Sequence, residues 1–72
     1  MAIEARRLCI NGTWDSRPAD TVAELLRLMD IDPTRRGTAV ALNDTVVPRA
    51  RWAEARLADG DRLEIIRAVQ GG

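Results

Sequence analysis

The fold is decided by the end of the chain, where residues 62–72 read Arg62-Leu63-Glu64-Ile65-Ile66-Arg67-Ala68-Val69-Gln70-Gly71-Gly72. The apolar residues of this stretch predict a final strand over Arg62–Val69, with Leu63 and Ile65 on one face. Two glycines follow, and because glycine has no Cβ they can pass through a narrow channel. Fully extended, residues 69–72 reach about 13–14 Å. The sequence therefore predicts a firmly held strand that presents a flexible C-terminal tail, 69–72.

The first part of the chain predicts a hairpin. Leu8 and Ile10 alternate with other residues within 5–11, which is typical of a strand with one buried face. Asn11-Gly12 is a strong signal for a two-residue hairpin turn, because both central residues of that turn need a positive φ. A second strand is expected over Thr13–Arg17.

A helix is expected next. Thr21 and Glu24 have the spacing of a capping box, in which the threonine caps the first turn and the glutamate reaches back. One apolar stripe runs along the helix at i, i+3, i+4 and i+7; it consists of Val22, Leu25, Leu26 and Met29. The segment 30–33 ends the helix, and Ile31 is expected to pack beneath its end.

Two more strands are expected over 38–43 and 45–47, the second stopped by Pro48, which cannot donate a ladder hydrogen bond. The segment 49–57 is predicted to be irregular or one helical turn. Its expected anchors in the core are Trp52 and Leu57.

The order β-β-α-β-β-β in 72 residues predicts a single α+β domain, 1–72. The last strand is expected beside the first and parallel to it, in a mixed sheet of about five strands with the helix across one face. This is the β-grasp arrangement. The expected core between helix and sheet is formed by Leu8, Ile10, Leu25, Leu26, Val40, Leu42, Leu63 and Ile65.

Composition excludes several functions. Eleven basic and eleven acidic residues give zero net charge, which argues against a nucleic-acid-binding surface. The chain has no Lys, no His and one Cys, so the usual general base, Schiff-base nucleophile and zinc cluster are all missing. Without a long apolar run or a secretory signal, a cytoplasmic protein that does not bind membranes is expected.

Six motifs occur in an ordered set. They are Asn11, Thr-Val-Ala-Glu-Leu-Leu at 21–26, Val-Ala-Leu-Asn at 40–43, Val-Val-Pro-Arg at 46–49 with Trp52, Asp-Gly-Asp at 59–61, and Ala-Val-Gln-Gly-Gly at 68–72. With this set the chain resembles the ThiS family, the ubiquitin-like sulfur carriers of thiamin biosynthesis. The arginine-rich loop 33–37 and the first few residues fit the family pattern less well.

The resemblance implies a sulfur carrier that is a protein co-substrate and no enzyme. A ThiF-type adenylyltransferase would adenylate the Gly72 carboxylate with its own ATP and Mg²⁺, while the carrier binds no cofactor or metal. A persulfide, supplied by a cysteine desulfurase or another donor, would then give a C-terminal thiocarboxylate. A ThiG-type thiazole synthase would take that sulfur. Val69, Gln70 and Gly71 would thread the partner's active site, and the free carrier would be a monomer.

The outer face of the sheet is the predicted docking surface. By strand alternation Ile66 and Ala68 face away from the helix, together with Ala39 and Ala41. A small apolar patch beside the tail is suited to an activating enzyme. Cys9 is also expected on this face; we interpret it as a small residue that fills space, with sulfur relay as the alternative.

Other functions remain open at this point. A carrier that feeds sulfur to molybdopterin or to tRNA thiolation would share the fold and the diglycine. A non-covalent ubiquitin-like interaction module would share the fold but leave the tail unused.

Overall fold

The computed structural model describes residues 5–67. In this range the elements are β1 (Arg6–Ile10), β2 (Thr13–Arg17), α1 (Val22–Leu28), β3 (Thr38–Leu42), β4 (Thr45–Val46), a 3-10 turn (Arg49–Arg51) and β5 (Arg62–Arg67). The strands form one mixed sheet in the order β2-β1-β5-β3-β4. This is the predicted β-grasp architecture. Ala68 and the predicted tail, 69–72, lie outside the described residues.

Strand β5 lies at the centre of the sheet. It runs parallel to β1, as predicted, with Cys9 beside Arg62 and Ile10 beside Leu63. On its other side it pairs antiparallel with β3 over five of its six residues, from Leu63 to Arg67. The strand that leads to the tail is therefore fixed between two neighbours.

The turn at Asn11 connects β1 to β2, and the Asn11 side chain also binds the other neighbour, β5. Asn11 and Gly12 have φ values of 51° and 83°, which confirms the predicted hairpin turn. Where β1 turns away, the Asn11 side chain continues the pairing with β5. Its Oδ1 accepts from the backbone N–H of Ile65 at 2.8 Å, and its Nδ2 donates to the carbonyl of Ile65 at 3.1 Å.

Helix α1 begins at the predicted cap. The Thr21 hydroxyl accepts from the backbone N–H of Glu24 at 3.2 Å. The Glu24 carboxylate reaches back, but to the N–H of Asp20, one residue before the cap, at 2.7 Å. The bond to Thr21 satisfies a donor that a helix start leaves free, and the bond from Asp20 ties the preceding residue to the first turn, so the helix begins where its apolar stripe begins.

The core lies between α1 and the inner face of the sheet. Its buried hydrophobic residues are Leu8, Ile10, Ala19, Val22, Ala23, Leu25, Leu26, Ile31, Val40, Trp52, Leu57, Leu63 and Ile65. The predicted core is confirmed, including the anchors Trp52 and Leu57, except that Leu42 and the stripe residue Met29 are only half-buried.

Strands β3 and β4 are shorter than predicted. β3 ends at Leu42 because Asn43 and Asp44 have positive φ values of 50° and 69° and form the turn themselves. β4 ends at Val46, although the N–H of Val47 still donates to the carbonyl of Val40 at 2.8 Å. The expected stop before Pro48 is confirmed.

We predict that Asn11→Gly lowers the free energy of unfolding by about 1–2 kcal/mol, because Ile65 loses two hydrogen-bond partners while the positive φ is retained. Urea denaturation measures the change. Asp44→Gly is the matched control: it places glycine at another positive-φ turn position, and the Asp44 side chain makes none of the hydrogen bonds found among residues 5–67. Equal stabilities of the two variants would contradict a structural role for the Asn11 side chain.

Candidate functional site

The candidate site is built around the last described residues of β5. Arg67, the last described residue of β5, pairs with Thr38 at the start of β3, and Ile66 pairs with Ala39. Paired residues in neighbouring strands point to the same face. Arg67 therefore faces the helix side of the sheet, and Ile66 faces the outer side.

The outer face carries most of the exposed large apolar side chains of the described residues. Ile66 is 63% exposed, Val46 71% and Trp14 43%. Ala39 is also exposed, and Ala41 is half-buried. The predicted grouping of Ile66, Ala39 and Ala41 on one face is confirmed.

Val46 also belongs to this surface, although the sequence pattern did not indicate it. It lies directly beside Ala41 in the β3–β4 pair, so it shares the outer face. The short strand before Pro48 gave too few residues to establish a face from alternation alone. The turn at Asn43-Asp44 could have supplied the register, because a two-residue turn fixes which residues pair.

The outer face is charged at the start of β5 and apolar at its end. Arg62 lies beside Cys9 and Glu64 lies beside Ala41, so charged side chains occupy the end far from the tail. A shallow depression in this charged part is lined by Cys9, Gly12, Trp14, Ala41, Asp44, Arg62, Leu63 and Glu64. The apolar part, with Ile66 and Ala39, is next to the base of the tail.

Cys9 lies on the outer face opposite Leu8 and Ile10, as predicted, and is half-buried. Its neighbour across the hairpin is Trp14, whose ring is covered by the Arg7 guanidinium at 5.4 Å from the ring centre. These contacts agree with a packing role for Cys9.

The loop before β3 is held by Arg49, a role that the sequence did not reveal. The Arg49 guanidinium lies over the buried Trp52 ring at 5.3 Å and donates to the carbonyl oxygens of Thr34, at 2.8 Å, and Arg35. The Trp52 indole N–H donates to the carbonyl of Val47 at 2.8 Å. The arginine-rich loop is thus attached to the core through a stacked side chain.

Asp32 also fixes the start of this loop. One oxygen of its carboxylate accepts from the Thr34 hydroxyl at 2.6 Å and from the Thr34 backbone N–H at 2.8 Å. These two bonds, the hydroxyl first, lower the pKa of Asp32 below its ordinary value of 3.8, and the charges of Arg35 and Arg27 add to the effect. Asp32 is therefore ionised at neutral pH and engaged within its own turn.

Residues 5–67 contain no group of three or more His, Cys, Asp or Glu placed to hold a metal ion. No helix in this range is long and apolar enough to cross a membrane.

Comparison with known sequences gives a consistent set of relatives. The model of the ThiS family matches residues 4–72. The sulfur carrier protein ThiS of Escherichia coli (strain K12) is 38% identical over 52 residues, which are 72% of this chain and 76% of that protein. A thiazole synthase of Paramagnetospirillum magneticum (strain ATCC 700264 / AMB-1) is 35% identical over 66 residues, 92% of this chain but only 20% of that protein.

Solved structures agree with the sequence matches. A crystal structure of the thiamine biosynthesis protein ThiS from Geobacter metallireducens has a TM-score of 0.74 and 28% identity, covering 92% of this chain and 99% of that one. A solution structure of a thiamine biosynthesis protein from the same organism gives a TM-score of 0.75 and 26% identity, covering 92% and 87%. The family match includes nearly the whole chain and is supported by relatives in both sequence and fold: this chain belongs to the ThiS family.

Proposed function

We propose that this chain is a sulfur carrier of thiamin biosynthesis and that the carboxylate of Gly72 is the group that carries the sulfur. The observation on which the proposal rests is the position of β5, which is paired on both sides and leads directly to the tail. Five residues follow Arg67 in the sequence and, fully extended, span about 17 Å. A fixed strand followed by a thin tail can deliver one carboxylate to an active site inside another protein.

The proposed chemistry needs nothing from this chain except that carboxylate. A carboxylate is a poor electrophile, and adenylation by a ThiF-type enzyme supplies a leaving group; ATP, Mg²⁺ and the charges that stabilise the reaction belong to that enzyme. A persulfide from a desulfurase is strongly nucleophilic near neutral pH and displaces AMP. In that step the terminal sulfur of the persulfide forms an acyl disulfide with Gly72 as AMP leaves. A second thiol, on the donor or the activating enzyme, then attacks the donor's sulfur, forms a disulfide with it and releases the thiocarboxylate on Gly72. The thiocarboxylate keeps the sulfur oriented for transfer.

The proposed acceptor is a ThiG-type thiazole synthase. The similarity to the Paramagnetospirillum magneticum thiazole synthase supports this partner, because a segment like this chain corresponds to a fifth of that protein. A carrier segment and a synthase in one polypeptide would be kept at high effective concentration, which is useful when one delivers sulfur to the other.

For docking, we propose the apolar part of the outer face. Ile66 and Ala39 lie side by side next to the base of the tail, Ala41 follows along β3, and Ala68 continues the parity of Ile66 along the sequence. Small alanines lie beside the exposed Ile66, and the exposed Val46 lies beside Ala41, so the surface is shallow and its anchor nearest the tail is Ile66. Such anchors supply most of the binding energy in many interfaces. Val69, Gln70 and Gly71 would then occupy the channel that leads to the active site.

The carrier reaction predicts a mass change. Incubation with a ThiF-type enzyme, ATP, Mg²⁺ and a persulfide donor should raise the mass by the difference between one sulfur and one oxygen, and fragmentation should locate the change at Gly72. A chain without Gly72, and one with an extra residue after it, should show no gain although their circular dichroism is unchanged.

Two results would lead to other functions. No mass gain with any activating enzyme would favour a non-covalent interaction module. A mass gain with rescue of molybdopterin or tRNA-thiolation mutants, and no rescue of thiamin mutants, would assign the carrier to another pathway.

The docking surface predicts a specific loss. Ile66→Glu should lower kcat/KM for adenylation of the carrier about tenfold or more, because it puts a charge at the apolar anchor. Leu28→Glu is the matched control, since Leu28 is 46% exposed on the helix side of the molecule. Both variants should unfold like the parent in urea; normal adenylation of Ile66→Glu would overturn the docking proposal.

A further inference from the structure

Three arginines lie together at the end of the molecule where β5 reaches its last described residue, Arg67. Arg35, Arg36 and Arg67 are exposed and line one shallow depression, together with Asp30, Ile31, Asp32, Gly37 and Thr38. The sequence contains eleven arginines, and composition alone gave no reason to distinguish these three from the others.

Topology brings them together. Helix α1 runs toward the tail end of the sheet, the loop 33–37 follows it, and β3 then starts at Thr38 beside Arg67. Arg35 and Arg36 are therefore next to the last described residue of β5 although they are about 30 positions away in sequence. Arg56, by contrast, lies at the far end of the helix, where it forms a bridge with Thr21.

The loop presents its arginines on a fixed backbone. Arg49 binds the carbonyl oxygens of Thr34 and Arg35 while it stacks on the buried Trp52, and Asp32 closes the turn through Thr34. A charged side chain on a fixed loop loses less conformational freedom on binding than one on a mobile loop.

The positive charges of this end are only partly compensated. Two aspartates line the depression beside the three arginines, and the Asp32 carboxylate is already engaged by Thr34. Among residues 5–67, the arginines that form ion pairs within 4 Å are Arg6, Arg17 and Arg51, none of which belongs to this cluster.

We propose that Arg35, Arg36 and Arg67 bind an acidic protein surface at the mouth of the channel in which the activating enzyme receives the tail. This inference rests on the proposed carrier function. The adenylate itself is out of reach: an extended tail places Gly72 about 17 Å beyond Arg67, much farther than an arginine side chain extends. A nucleic-acid partner is disfavoured because the chain has no net positive charge.

The arginine cluster and the apolar part of the outer face have different roles in the proposed docking. Ile66 and Ala39 lie on the outer side of the sheet and Arg67 on the helix side, so the last described residues of β5 present an apolar and a basic surface on opposite sides. Charges at the rim of an interface accelerate encounter and fix orientation, whereas the apolar contact supplies most of the affinity.

Charge reversal tests the proposal. In the adenylation assay at low salt, Arg36→Glu should raise KM for the carrier about tenfold with kcat unchanged, because the tail and Gly72 are intact. Arg56→Glu changes the net charge equally but is at the other end of the helix, so its KM should stay within about twofold of the parent value. The difference between the two variants should shrink at high salt, since exposed charges are screened.

Several results would overturn the inference. A KM of Arg36→Glu equal to that of Arg56→Glu would exclude the acidic contact, and a defect that persists unchanged at high salt would indicate a structural effect. Retention of a labelled RNA by the parent chain but not by Arg36→Glu, with unchanged KM, would assign the cluster to nucleic acid. If the parent chain is not adenylated at all, the carrier function fails and the inference fails with it; adenylation of the parent with equal KM values overturns the inference alone.

Discussion

The structure depends on the pairing of the last strand with the first. Only two residue pairs, Cys9 with Arg62 and Ile10 with Leu63, align β1 with β5, because β1 turns away at Asn11. The Asn11 side chain, with one donor and one acceptor, then takes the place of a backbone amide and binds Ile65 across 54 sequence positions. Closing so long a loop is entropically costly, so these contacts form only when the sheet and core are assembled together.

A central β5 has consequences for both faces and for the end of the molecule. Because the strand is flanked on two sides, its outward side chains become part of a continuous surface with β3 and β4, and its last described residue meets the loop before β3. An edge strand would have offered one neighbour and an open row of backbone groups, which invites non-specific pairing. The central position of β5 thus places two chemically different surfaces at its last described residues.

The local elements of this fold could be predicted from the sequence, because their signals are local. Asn11-Gly12 specified the turn, Thr21 specified the start of the helix, and alternation placed Leu63 and Ile66 on opposite faces. The bonds from Asn11 to Ile65 and from Arg49 to the loop could not be predicted, since each joins residues whose approach is set by the whole fold. The tail motif, by contrast, was recognisable only as a sequence, and its residues lie outside the described part.

A carrier that serves two partners cannot bind either of them too tightly. Under the proposed function, the activating enzyme and the thiazole synthase both receive the same tail, so the surface at its base must be used by one partner at a time. In this proposal Ile66, the small alanines beside it and Val46 offer a limited apolar area, which would keep dissociation fast. The neighbouring arginines would raise the rate of association through electrostatic steering without slowing dissociation. The modest size of the apolar patch is therefore what an exchangeable carrier requires.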